Sequence, residues 1–351
     1  MTIFDLNMTA TYQKHTLNFK QASGTSRGVL KTKDTWFISI EFEGKKGIGE
    51  CGMFRGLSVD DRPDFEEKLQ WACQNIHLGL ERLLSELVEL PSIQFGLEMA
   101  FTDLESETNF ELFPSKFTKG DDEIPINGLI WMGSEAFMRD QIKSKIEEGY
   151  DCIKLKIGAI DFQTELDLLK SIRTQFSAAD IELRVDANGA FSSGEALEKL
   201  KRLSDYQLHS IEQPIKQGQV EEMARLCQST PLDIALDEEL IGIFDVTDKY
   251  NLLQTIQPQY IILKPTLVGG FQGSNAWIEA AKGGNIDYWI TSALESNVGL
   301  NAIAQWTYTL QNPRPQGLGT GGLFTNNIES PLEVKDGTLR YNKNTNWNFN
   351  L

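Results

Sequence analysis

The chain has 351 residues and carries 33 Lys and Arg against 50 Asp and Glu, a formal net charge of −17 at pH 7. Such a surface repels nucleic acid and anionic membrane, and no basic stripe relieves it, so a small anionic substrate needs a pocket that gathers positive charge locally. At 40% hydrophobic residues and this length, two domains are expected, since one core rarely grows so large.

Taken in chain order, Met1 to Phe19 mixes polar and apolar residues and lacks the apolar stretch of a secretion signal. Thr9 to Phe19 and Asp34 to Glu43 alternate, most clearly from Thr35 to Phe42, which predicts strands. The small residues from Gln21 to Gly28 predict a mobile loop between them, and Gly44 to Gly47 a turn. From Arg62 to about Ser106 the pattern is helical, with apolar positions at Leu69, Ala72 and Ile76 and again at Leu80, Leu83 and Leu87. These segments make an α+β unit of about 110 residues, an ordinary domain size. The four cysteines (Cys51, Cys73, Cys152, Cys227) show no paired spacing and read as free thiols of a reducing compartment. No apolar run approaches the roughly 20 residues needed to cross a bilayer, and a cytoplasmic location is expected.

After Phe110 short β-branched runs alternate with amphipathic helices. The runs are Ile126–Met132, Cys152–Ile157, Ile181–Asp186, His209–Glu212, Ile234–Asp237, Tyr260–Lys264 and Asp287–Ala293, with Gln316–Gly321 as a weak eighth. Helical spacing joins Met138, Ile142 and Ile146, then Phe162, Leu166, Leu169 and Ile172, and Ser192 with Glu195 predicts a capping box. This alternation predicts a (β/α)8-type barrel. An open doubly wound sheet would alternate too, but no glycine-rich nucleotide fingerprint follows the first strand. The tail from Phe324 to Leu351 reads as a small hairpin that packs back on the N-terminal unit.

Five consecutive runs end in charge: Lys154-Leu155-Lys156, Arg184-Val185-Asp186-Ala187-Asn188, Glu212-Gln213-Pro214, Asp237-Glu238-Glu239 and Lys264-Pro265. From Lys156 through Asp186, Glu212 and Asp237 to Lys264 the intervals are 30, 26, 25 and 27 residues, one βα unit each. Each group therefore falls at a similar height at the C-terminal end of its strand, where barrel enzymes place their sites. A lone acid there is more often a helix cap. Three in phase repel one another unless a cation lies between them, and an all-oxygen set selects a hard ion such as Mg²⁺. Lys154 and Lys156 leave the same face of their strand, so two ammonium groups share a confined site near a cation, which predicts a lysine pKa lowered towards that of a base. Lys264 then faces Lys156 across the barrel. One metal, one base and one opposing cation suit removal of a proton beside a carboxylate.

These motifs resemble the enolase superfamily and, within it, the muconate lactonizing enzyme group. The resemblance implies a (β/α)7β barrel over residues 122–321, an α+β capping domain over 1–115 with 322–351 packed on it, and Mg²⁺, for which Mn²⁺ can substitute. Within the group Thr291 to Leu300 and Gly317 to Gly321 most resemble the o-succinylbenzoate synthases, which dehydrate a succinyl-hydroxycyclohexadiene carboxylate in menaquinone synthesis. That resemblance implies Asp186, Glu212 and Asp237 as metal ligands, Lys156 as the base that also assists hydroxide departure, and Lys264 as the stabiliser of the enediolate. Lys154, Arg184, Asn188, Glu238, Ser292 and Glu295 would bind substrate or orient these groups. A mandelate-racemase-like base is missing, because His15, His77 and His209 all lie outside the seventh strand. Dipeptide epimerases carry an Asp-x-Asp on the eighth strand where Gly319-Thr320-Gly321 stands here. Racemases of N-succinylamino acids keep both lysines, and the core motifs alone leave them open.

Overall fold

A computed structural model of the chain describes residues 7–25 and 28–350. Three antiparallel strands, β1 (Thr9–Thr25), β2 (Gly28–Phe42) and β3 (Lys45–Cys51), form a sheet in chain order. The alternation on β2 serves two cores rather than one. Trp36, Ile38 and Ile40 pack with Phe65, Leu69 and Leu97, while Phe37 on the opposite face packs with Ile48, Phe110 and Val298. The predicted mobile loop is largely a continuation of the hairpin: Ser23, Gly24 and Thr25 pair with Leu30, Val29 and Gly28, after a register shift beyond Asn18. Backbone ladder bonds, which need no side chain, hold that ribbon, so small residues do not end it. Ser26 and Arg27 lie outside the described residues.

Three helices, α1 (Phe65–Gln74), α2 (Leu80–Glu86) and α3 (Pro91–Glu105), cover one face of the sheet. The approach of α3 to β3 is close enough to require glycine. A Cβ on Gly49 would lie 1.9 Å from the Gly96 carbonyl oxygen, and one on Gly47 2.0 Å from that of Ala100.

The barrel begins after β4 (Ile124–Pro125) and consists of β5 (Gly128–Ile130), α4 (Glu135–Glu147), β6 (Cys152–Lys156), α5 (Phe162–Gln175), β7 (Glu182–Asp186), α6 (Ser193–Ser204), β8 (Ser210–Glu212), α7 (Val220–Ser229), β9 (Ile234–Leu236), α8 (Val246–Ile256), β10 (Tyr260–Leu263), α9 (Pro265–Val268), α10 (Gly270–Lys282), β11 (Asp287–Ile290) and α11 (Asn297–Thr309). β5 through β11 pair in chain order, all parallel. The weak eighth run closes the ring with two residues, Gln316 bridging Ile126 and Gly317 bridging Thr291. The architecture is a (β/α)7β barrel with an α+β cap. The Ser192–Glu195 capping box forms at α6, and all four cysteines are buried and free. Among the described residues no helix is long and apolar enough to cross a membrane.

The C-terminal strands β12 (Leu332–Lys335) and β13 (Thr338–Tyr341) form a hairpin that pairs through β13 with β4, at the foot of the barrel. The residues flanking it turn to the cap: Phe324 meets Phe19, Trp347 stacks on Phe110, and Phe349 meets Phe37.

Cap and barrel are further joined through Glu98 of α3, which accepts the backbone N–H groups of Phe271 and Gln272 (3.0 Å for the latter) in the first turn of α10. Burial pushes this carboxyl up to about 7. A carboxyl whose folded pKa is raised stabilises the fold below its ordinary 4.5 and loses that contribution as pH rises through about 7. Stability of the wild type is therefore expected to fall between those values, and Glu98→Gln to flatten that part of the profile, measured by urea unfolding across pH. Gly49→Ala is expected to cost about 1–3 kcal/mol by overpacking the α3 contact, read as a lower urea midpoint.

Candidate active site

The strand ends carry the chemistry because parallel pairing keeps them in register: Lys156 lies beside Asp186, and Asp186 beside Glu212. The turn after β7 has Asn188 at φ 43°, which lets its own N–H donate to Asp186 Oδ1 at 2.9 Å and fixes that carboxylate. Lys154 Nζ stands 3.2 Å from Asp186 Oδ2 and also donates to Glu212 Oε2. Lys156 Nζ donates to Asp186 Oδ2 at 2.9 Å and to Asn188 Oδ1 at 2.8 Å, and Lys264 Nζ donates to Asp237 Oδ2. Asn188 Nδ2 donates to Glu238 Oε1 at 3.0 Å. Asp186, Glu212 and Asp237 are only 1–3% exposed, so these contacts are formed away from water.

Burial by itself drives each of these groups towards neutrality, and the partners decide the outcome. For Asp186 burial is outweighed by Lys154, Lys156 and Lys264, which hold its carboxyl well below the usual range; Lys264 does the same for Asp237. Glu212 goes the other way, raised by burial and by the nearby Asp186 charge. Lys154 is raised, not lowered: desolvation opposes its charge, but Asp186 and Glu212 prevail. The expectation of a lowered lysine pKa on this strand does not hold for Lys154, because the carboxylates touch it directly. Lys264 is raised in the same manner by Asp237 and Glu212.

A cavity of about 410 Å³ opens above these groups, lined by Lys154, Lys156, Asp186, Asn188, Glu238 and Lys264. Ser292 also lines it, its hydroxyl 2.6 Å from that of Thr320. From the cap, Phe54 and Leu57 enter on a tight loop in which Ser58 Oγ accepts from Phe54 N at 2.8 Å and Asp61 from Gly56 N at 2.8 Å. Glu212 and Asp237 lie behind the lysines rather than on the cavity wall.

Two residues of the sequence motifs stand elsewhere. Arg184 stacks 4.3 Å from the Trp289 ring and donates to Glu182 and to the Pro315 carbonyl at 2.9 Å, at the barrel floor. Glu295 faces the cap: it accepts from Thr266 Oγ1 and from Ala293 N at 2.7 Å, and the Lys33 charge lies close enough to oppose the rise that burial imposes on its pKa. Beside it Glu50 of β3 accepts from Ser296 N at 2.9 Å and Gly299 N at 2.8 Å, while Lys33 Nζ donates to the Gly52 carbonyl at 3.1 Å. This buried network sets the cap loop over the barrel, and nothing in the local sequence pattern marks it. Gln213 is likewise more than part of a motif. Its Oε1 accepts from Asp237 N at 3.2 Å and Glu239 N at 3.3 Å, while its Nε2 donates to Glu239 Oε2 at 3.0 Å, so it anchors the backbone that carries Asp237.

The donor set suits a hard cation: three carboxylates from consecutive strands, of which Glu212 Oε1 is buried with no hydrogen-bond partner. Among the described residues no group of three or more His, Cys, Asp and Glu side chains is already gathered in metal-holding geometry, since lysine ammonium groups lie on the carboxylate oxygens.

Residues 137–344 match the family described as enolase C-terminal domain-like. An o-succinylbenzoate synthase of Desulfotalea psychrophila is 48% identical, across 95% of this chain and 98% of its own. The chain belongs to the enolase superfamily. The crystal structure of MenC from D. psychrophila superimposes with a TM-score of 0.85 at 45% identity, covering 95% of this chain and 99% of that one. The L-Ala-D/L-Glu epimerase of Bacillus subtilis (TM-score 0.82, 18% identity, 95% of each chain) and a muconate lactonizing enzyme of Pseudomonas fluorescens (TM-score 0.80, 20% identity, 95% and 93%) share the fold. In this superfamily member, Gln213→Leu is expected to weaken divalent-ion binding about 10- to 100-fold through a displaced Asp237. Calorimetric titration with Mg²⁺ measures it, and an unchanged affinity would show that Asp237 does not depend on the amide.

Proposed function

We propose that the protein is an o-succinylbenzoate synthase, a lyase that dehydrates a succinyl-hydroxycyclohexadiene carboxylate to o-succinylbenzoate in menaquinone synthesis. The observation that carries this reading is the pair of lysines, Lys156 and Lys264, on one buried cavity whose strand ends supply three carboxylates, in a chain 48% identical to a synthase of this kind. The barrel is assigned to residues 122–321 and the cap to 1–115; of the segment 322–351 expected to pack on the cap, the flanks do so, while the hairpin of β12 and β13 pairs with β4 at the barrel foot.

Asp186, Glu212 and Asp237 would hold Mg²⁺, with Mn²⁺ as a substitute. Bound there, the ion supplies charge that stabilises the enediolate formed when the carbon beside the ring carboxylate loses its proton. Lys156, as the neutral amine, takes that proton and becomes the ammonium; Asn188 and Asp186, both in hydrogen-bond contact with its Nζ, hold the side chain in place. The C–O bond then breaks, and the Lys156 ammonium returns the proton to the departing hydroxide, so water leaves and the lysine is regenerated. Lys264, held by Asp237, presents its positive charge to the enediolate from the other side. Phe54 and Leu57 of the cap exclude water from the step.

The test is formation of the aromatic product from the cyclohexadiene substrate, followed by ultraviolet absorbance. Turnover is expected with Mg²⁺ and lost with EDTA, and Lys156→Ala is expected to lower kcat by about 10²- to 10⁴-fold or more. A wild type without turnover, or turnover indifferent to EDTA, would sink the assignment. Exchange of the α-proton of an N-succinylamino acid with solvent deuterium would instead mark a racemase.

A further inference from the structure

The eighth run joins the residues leading into β5 at Gln316. Gln316 N donates to the Pro125 carbonyl at 2.8 Å and Asn127 N to the Gln316 carbonyl at 3.0 Å. Beyond these bonds the eighth run continues as Gly317-Leu318-Gly319, and a Cβ on Gly319 would stand 4.0 Å from the Tyr150 hydroxyl. On the β5 side Gly128 leaves room for the stem of Lys145, whose carbons would lie 3.0–3.2 Å from a Cβ there. The cavity that holds Lys156 and Lys264 extends into this seam, where Asn127, Leu129, Gln141, Lys145, Tyr150 and Gly319 line it.

Three of those side chains bear polar groups of one kind of use. Lys145 Nζ lies 4.8 Å over the Tyr150 ring, its other side held by Glu148 at 2.5 Å. Tyr150 is buried, and burial raises its hydroxyl to about 12, so it keeps its proton. Asn127 is 6% exposed, and its Oδ1 has no hydrogen-bond partner among the described residues. A half-turn of the amide brings its N–H₂ to the same place, so it can serve a ligand that only accepts. Leaving such a group unpaired away from water is unfavourable, and a ligand would relieve it.

We propose that this seam is the subsite for the distal carboxylate of the substrate, with the Lys145 ammonium, the Tyr150 hydroxyl and the Asn127 amide as its donors. The inference rests on the function proposed above, in which the substrate carries one carboxylate on the ring and a second at the end of its succinyl arm. Two carboxylates repel, and the ring carboxylate belongs with Lys156 and Lys264. Those lysines and Lys154 are engaged by Asp186, Glu212 and Asp237. Lys145, although paired with Glu148, offers a cation that lines the cavity outside that cluster, in the seam that Gly319 also lines.

Lys145→Met keeps the stem on Gly128 and removes the charge. It is expected to raise KM about 10- to 100-fold with kcat within about threefold, while Lys143→Met, exposed on the same helix and outside the cavity lining, leaves both unchanged. Tyr150→Phe, which keeps the ring, is expected to raise KM in the same direction and serves where Lys145→Met fails to fold. A product analogue with its succinyl carboxylate converted to an amide should bind wild type more weakly than o-succinylbenzoate does, and Lys145→Met should lose that preference. Wild-type turnover with unchanged KM in both variants, or an equal KM effect in Lys143→Met, would overturn the subsite alone. Absence of wild-type turnover would overturn the functional reading and the subsite with it.

Discussion

The alternation of buried charge across the strand ends is the constraint on which the rest of the molecule depends. Asp186, Glu212 and Asp237 are almost wholly removed from water, as is Lys154, and the Lys156 and Lys264 side chains are mostly buried. Removing one such ion from water costs several kcal/mol, repaid only by an opposite charge held in contact. Lys154 between Asp186 and Glu212, Lys156 on Asp186 and Lys264 on Asp237 meet that condition. The parallel register that sets these groups side by side is therefore part of the electrostatics, and a one-residue slip of a strand would bury the charges against the helices instead.

The cap obeys the same rule on a smaller scale. Lys33, Glu50 and Glu295 are buried where cap and barrel meet, and Glu50 is hydrogen-bonded across the boundary to Ser296 and Gly299. Because Glu50 ties β3 to the barrel and Lys33 grips the Gly52 carbonyl, the start of the loop carrying Phe54 and Leu57 is set relative to Ser296 and Gly299. The cavity is then bounded on one side by charge fixed to rigid strand ends and on the other by apolar side chains fixed to the cap, which suits a reaction that needs both a strong field and little water.

Much of the site was legible because barrel strands repeat. Spacings of 30, 26, 25 and 27 residues from Lys156 to Lys264 translate directly into neighbouring strand ends, and alternation places Lys154 with Lys156. The readings that failed depended on distance rather than period. The sign of the Lys154 shift turned on which charges touch it. Arg184 leaves the inner face of β7 towards the floor, where Trp289 and Pro315 receive it. The stretch from Gln21 to Gly28 reads as loop by composition, yet strand pairing continues to Thr25 and resumes at Gly28.

By itself the sequence determined the βα repeat, the membership of the charged set and the chemistry that set can perform, because these follow from residue type and interval along one strand. Tertiary structure alone decided which lysine rests on which carboxylate, how two bridging residues at Gln316 and Gly317 close the ring, and where that closure leaves a seam towards Lys145 and Tyr150. Those outcomes are set by atoms far apart in the chain whose separations no local pattern encodes. The positive pocket that an acidic chain needs is thus a property of packing, although Lys154, Lys156 and Lys264 were visible beforehand and Lys145 was not.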